Sequence, residues 1–171
     1  MKNQNLIHTP ALPSPSAREA RSPKKRILLA DDDPAVRGSL ARLLTGEDYL
    51  VLPAANGEEA LFIAAASECD LVLLDLNMPV KNGWDTFERL TYQNPMLPVI
   101  IITARPNQLF PALASGVGAL LEKPLDFPKL LHTMRDLLDE PAETRLARMA
   151  GRPADFHYLP HRHTVPGGQS R

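Results

Sequence analysis

Three aspartates, Asp31-Asp32-Asp33, follow directly on the apolar run Ile27-Leu28-Leu29-Ala30. A fourth, Asp75, closes the run Leu71-Val72-Leu73-Leu74. Thr103 closes Val99-Ile100-Ile101-Ile102, and Lys123 stands just past Ala119-Leu120-Leu121. Each run is short and apolar throughout, as strands of a parallel sheet buried on both faces are. In open parallel sheets the chemistry gathers beyond the carboxyl ends of the strands, so these polar residues are expected on one edge. Carboxylates crowded there repel one another unless a cation joins them. Oxygen ligands from Asp32 and Asp75, with a backbone carbonyl, suit Mg²⁺, which takes a few carboxylates and keeps its waters. A remaining oxygen of Asp75 is then free to attack phosphorus as a carboxylate nucleophile. The charge of Lys123 and the hydroxyl of Thr103 suit the oxygens of a transferred phosphoryl group. Taken singly, each has an ordinary reading: a helix cap for Asp75, a surface charge for Lys123, a strand-end cap for Thr103. Their joint occurrence points to phosphoryl chemistry.

The elements that must position them can be read in turn. Between the first and second runs, Pro34 falls where a first helical residue sits and Asp33 can cap it. Val36, Leu40, Leu43 and Leu44 then form one apolar face, and Gly46 ends the helix. Leu50-Val51-Leu52 predicts a second strand stopped by Pro53. Asn56 with Glu59 three residues later reads as a capping-box start to an alanine-rich helix reaching about Ser67. After Asp75 a loop opens with Asn77, Met78 and Pro79, turns at Asn82-Gly83 and leads to a helix bearing Trp84, Phe87 and Leu90. A short helix, compromised by Pro111, is expected between Asn107 and Ser115. Asp126 caps a strongly amphipathic helix carrying Leu130, Leu131, Met134, Leu137 and Leu138. Five strands alternating with five helices predict a five-stranded parallel sheet, doubly wound, an α/β fold of flavodoxin-like type.

The flanks are different. Residues 1–24, rich in proline and serine, are expected to be a disordered tail, and Lys24, Lys25 and Arg26 a solvated basic flank. After Glu140 the periodicity fails. Thr144 to Ala150 could hold a turn or two of helix, but 140–171 is expected to be a poorly ordered tail. His157, His161 and His163 lie there without carboxylate or cysteine partners nearby, a poor metal site.

The 171 residues suit one domain, here 25–139, with tails, and a 44% hydrophobic content suffices for a core. A net charge of −1 argues against wholesale nucleic-acid binding, and a single cysteine, Cys69, excludes a disulfide framework. No apolar run approaches a membrane span, and no signal peptide is evident. A soluble protein of a reducing compartment, hence cytoplasmic, is expected.

The motifs ILLADDDP, DLVLLDLNMPVKNG, VIIITA and LEKP, in this order and spacing, resemble the receiver domains of bacterial two-component response regulators. The resemblance covers roughly Lys25 to Leu138. It implies Asp75 as the phospho-acceptor, Asp31 and Asp32 as the acidic pair, and Asp32 in direct contact with Mg²⁺. Asn77 would add a ligand through its main-chain carbonyl. Thr103 and Lys123 would sense the phosphoryl group, and Lys123-Pro124 would be joined by a cis peptide. The family usually carries Tyr or Phe where Leu120 stands. The interval from Thr103 to Lys123 is also somewhat short and contains Pro106 and Pro111. Both departures fall on the fourth helix and fifth strand, a face by which such domains commonly signal or pair.

The function expected is a phosphorelay receiver, not an enzyme beyond its own phosphorylation and dephosphorylation. Its donor would be a sensor histidine kinase or phosphotransfer protein, and its output an unidentified protein target. With no room for a DNA-binding domain after residue 140, a stand-alone receiver is expected. One alternative is a receiver-fold scaffold that is not phosphorylated. Another is a haloacid-dehalogenase-type phosphatase, but that class carries its nucleophile in a D-x-D-x-T/V pattern on the first strand. Here Asp31-x-Asp33 is followed by Ala35 at the last position, and no later acidic pair exists to hold the metal.

Overall fold

Sequence-local signals start most of the elements. The computed structural model describes residues 23–79, 83–151 and 156–160. β1 (Arg26–Ala30) leads into α1 (Pro34–Gly46), with Pro34 in the first turn and the Asp33 carboxylate accepting from the amides of Ala35 and Val36. β2 (Leu50–Ala54) precedes α2 (Gly57–Ala66). The capping box closes there, with Asn56 accepting from Glu59 N at 2.9 Å and Glu59 from Ala55 N at 2.7 Å. β3 (Leu71–Asp75) and α3 (Gly83–Gln93) follow, then β4 (Val99–Thr103) and α4 (Leu109–Ser115). β5 (Ala119–Glu122) leads to α5 (Phe127–Leu138), whose N-terminus Asp126 caps by accepting from Lys129 N. The Lys123-Pro124 peptide is cis, as expected.

All strand pairs among the described residues are parallel, in the order β2-β1-β3-β4-β5-β6, where β6 is His157–Leu159. Every residue of β3 and β4 is buried. Leu28, Val72, Leu74 and Ile101 pack with Phe87 and Leu90 of α3 on one face of the sheet. Ile27, Leu71, Leu73 and Ile100 meet Leu40, Leu44, Leu130 and Met134 from α1 and α5 on the other. Both faces are thus covered, which is what apolar residues at every position of a strand require. Among the described residues, no helix is long and apolar enough to cross a membrane.

Pro53 does not stop β2 but pairs within it, opposite Leu29. β2 is an edge strand, where a missing amide can face outward without breaking the ladder. Pro111 likewise lies in the first turn of α4, where its absent N–H has no helical acceptor to lose.

The larger departure is after Glu140. Instead of a poorly ordered tail, α6 (Ala142–Met149) forms and a sixth strand, β6 (His157–Leu159), pairs with β5. What holds α6 is tertiary. Arg145 donates to the carbonyls of Met96 (2.6 Å) and Leu137 (2.8 Å), and Arg148 to the carbonyl of Gly116 (3.3 Å). Both arginines pair with Glu140, whose side chain is 7% exposed. Gly116 adopts φ +73°, and a Cβ there would stand 3.2 Å from Met149 Cα, so the helix seats against bare backbone. The proline- and serine-rich segment over 1–22, the turn at Asn82, and His161 and His163 lie outside the described residues.

Candidate functional site

The strand ends converge as their spacing predicts. Asp31 follows β1 and is 1% exposed, and Asp75 ends β3 at 2%. Asp32 beside them is exposed. One carboxylate oxygen from each of Asp31, Asp32 and Asp75 lies within 4.8 Å of the others, an arrangement able to hold a metal ion.

Lys123 joins the two buried acids. Its ammonium donates to Asp75 Oδ2 at 2.6 Å and to Asp31 Oδ2 at 2.9 Å. Their second oxygens are held by backbone: Asp33 N donates to Asp31 Oδ1, and Asn77 N to Asp75 Oδ1, both at 2.9 Å. The latter bond curls the loop after β3 back over Asp75. Burial pushes the Asp31 carboxyl above its usual range, although its bond to Lys123 opposes this. Burial works against the Lys123 charge too, but bonds to Asp75 and Asp31 outweigh it and raise the ammonium pKa.

Thr103 is fully buried. Its Oγ1 accepts from Arg105 N at 2.9 Å, and its carbonyl accepts from Lys123 N at 2.9 Å, tying the ends of β4 and β5 together. Gly83 begins α3 against the site. A Cβ there would stand 2.5 Å from Leu76 Cα and 2.7 Å from Asp75 O, so only glycine lets the helix come so close to the acceptor strand.

Every residue singled out in the sequence, Asp31, Asp32, Asp75, Asn77, Thr103 and Lys123, therefore lies at this edge. Two neighbours escaped notice. Arg105 Nε donates to Asn77 Oδ1, bridging the loops after β3 and β4; an arginine two residues past the strand-end threonine was the available signal. Tyr158 comes from β6. It stands beside Leu120 in the parallel register, and its Oη donates to Glu122 at 2.9 Å. That carboxylate bond raises the phenol pKa. Leu120 itself is buried in the α3 and α4 face.

Residues 27–135 match the model of the response regulator receiver domain. The chain belongs to this family. The chain is 39% identical over 115 residues to the response regulator MprA of Mycolicibacterium vanbaalenii, covering 66% of this chain and 50% of that protein. It is 36% identical over 149 residues to MprA of Mycobacterium bovis, covering 85% of this chain and 65% of that one. The chain thus spans about half to two thirds of the length of these curated relatives. Among solved structures, a CheY-like receiver domain from Methanospirillum hungatei superposes with a TM-score of 0.65 at 31% identity, covering 68% of this chain and 95% of that one. The response regulator TrrA of Thermotoga maritima, solved in complex with Mg²⁺-BeF, gives 0.62 at 30% identity, covering 66% and 98%. Receiver domains are signalling modules of two-component systems and not enzymes in the ordinary sense, and the doubly wound parallel sheet is theirs.

Proposed function

We propose that Asp75 accepts a phosphoryl group from a phosphohistidine on a sensor kinase or phosphotransfer protein, and that the phosphoaspartate changes the domain's contacts with a downstream protein. One observation carries this reading: a buried strand-end carboxylate, Asp75, shares a single ammonium with Asp31 while an exposed acid, Asp32, completes an oxygen cluster. In the transfer, an Asp75 oxygen forms the new O–P bond as the P–N bond of the donor imidazole breaks, and the ring nitrogen keeps the electron pair. Lys123 exchanges its Asp75 oxygen for oxygens of the incoming group, and the Thr103 hydroxyl donates to another.

The acid cluster fits Mg²⁺. Its donors are hard oxygens, and the exposure of Asp32 leaves the outer side open to the waters this ion retains. Asp31, Asp32, Asp75 and the main-chain carbonyl of Asn77 would hold it, and it would neutralise charge on the phosphoryl oxygens. The Mg²⁺-BeF complex of the Thermotoga maritima relative supports this assignment.

Intact mass after incubation with acetyl phosphate and Mg²⁺ tests the reading. One phosphoryl adduct is expected on the wild type and none on Asp75→Asn or in EDTA. An adduct that survives the substitution would overturn it.

A further inference from the structure

The sixth strand lies outside the part matched by the family model, which ends at residue 135. It is nonetheless wired to the same edge. Thr103 on β4 pairs with Glu122 on β5, and Tyr158 on β6 reaches that same Glu122. Thr103, Glu122, Lys123 and Tyr158 line one cleft of about 530 Å³, together with Gln108 and Phe110 from the segment after β4. β6 is lightly held compared with the segment before it. α6 is anchored by two arginines and a buried glutamate, whereas β6 is three half-buried residues paired on one side. Such a strand sits at the low end of the local stability range.

The Tyr158–Glu122 bond is made while the neighbouring Lys123 is locked to both Asp31 and Asp75. An acyl phosphate on Asp75 loses the carboxylate charge that Lys123 pairs with and brings charged phosphoryl oxygens of its own, so Lys123 changes partners. The end of β5 beside Lys123 is fixed by the hydrogen bonds from Lys123 N to Thr103 O and from Tyr158 to Glu122, so a rearrangement at Lys123 bears directly on them. We infer that β6 is a strap whose docking is coupled to occupancy of Asp75, with Tyr158 as the coupling residue. The inference rests on Asp75 being the phosphoryl acceptor. Occupancy loosens the strap, and by reciprocity a loosened strap eases occupancy by the same factor.

Amide exchange of the full chain, followed in the peptide holding His157 to Leu159, reads the strap, with Mg²⁺ and beryllofluoride as the phosphoryl mimic. Binding is followed separately by fluorescence titration of Trp84. On saturation, exchange in β6 should quicken about fivefold, the scale of one lost hydrogen bond, while α6 stays protected. Tyr158→Phe keeps the ring and loses the hydroxyl. Its β6 should already exchange at the faster rate, respond no further to the mimic, and bind it about fivefold more tightly. Saturable binding with β6 exchange unchanged, or a full response retained in Tyr158→Phe, overturns the strap and leaves the acceptor reading standing. No binding of the mimic and no acetyl-phosphate adduct removes both.

Discussion

Lys123 Nζ lies 2.6 Å from Asp75 Oδ2, and 79% of the lysine side chain is withdrawn from water with the carboxylate almost wholly so. The ammonium is therefore a structural counter-ion for the acid edge before it is anything else. Lys123→Met leaves Asp31 and Asp75 facing each other inside the fold. A buried charge stripped of its partner costs about 3 kcal/mol, so the unfolding free energy from urea titration in EDTA should fall by that much, with a lower midpoint. Added Mg²⁺ should recover part of the loss, since a divalent ion can replace the missing charge. Equal midpoints for the two proteins in EDTA would show that the pair carries no such weight.

Asp32 differs from its neighbours in being exposed. Asp32→Ala should fold normally and hold Mg²⁺ about tenfold more weakly or worse, since even outer-shell partners are worth that much. Without metal it removes only a repelling charge, so its melting temperature in EDTA should stay level or rise slightly. Trp84 sits at the start of α3, its Nε1 bonded to Gln108 Oε1 at 3.0 Å, and its fluorescence gives the titration signal. Unchanged affinity would place the ion elsewhere.

Gly83→Ala sets a methyl group against the backbone of Asp75 and Leu76, at 2.7 and 2.5 Å. Backbone cannot swing aside as a flexible side chain can. Overpacking of this kind costs about 2 kcal/mol, and relief requires α3 to retreat from the acceptor loop. Thermal melting should show the loss, and acetyl-phosphate uptake followed by mass should slow with it. A variant as stable and as reactive as the wild type would mean that the helix seat is looser than these distances imply.

The acid edge could be read before the fold because each strand is buried on both faces and so announces itself as an unbroken apolar run ending in a polar residue. Caps at Asp33, Asn56 and Asp126 work within three residues of themselves and were equally legible. What escaped notice depends on contacts far apart in the chain. α6 is held by Arg145 and Arg148 on the carbonyls of Met96, Leu137 and Gly116, none of which leaves a periodic trace. β6 is three residues among prolines, too short to show alternation, and exists through its pairing with β5. Pro53 looked like a strand stop because its tolerance depends on β2 being at the edge, a fact of topology and not of local sequence.

Asp70 supplies the pH test. It stands just before β3, accepting from Arg26 N at 2.7 Å and from Lys25 Nζ at 3.0 Å, and so ties the starts of β1 and β3 together. Burial alone would raise its carboxyl pKa, but the Arg26 amide and the Lys25 ammonium outweigh it and hold the pKa below the usual carboxylate range. A folded-state pKa below the unfolded one means that the native state favours the charged form. The stabilisation is therefore complete above the unfolded value, about pH 4, and is lost as pH falls through the lower folded value. Asp70→Ala should cost about 1 kcal/mol at neutral pH, the net worth of such hydrogen bonds at a partly exposed site. The gap between the urea midpoints of wild type and variant should hold constant from about pH 7 to about pH 5, then close as pH falls below the unfolded carboxylate value, about pH 4. A gap that persisted in acid would assign the stabilisation to the packing of the side chain and not to its charge.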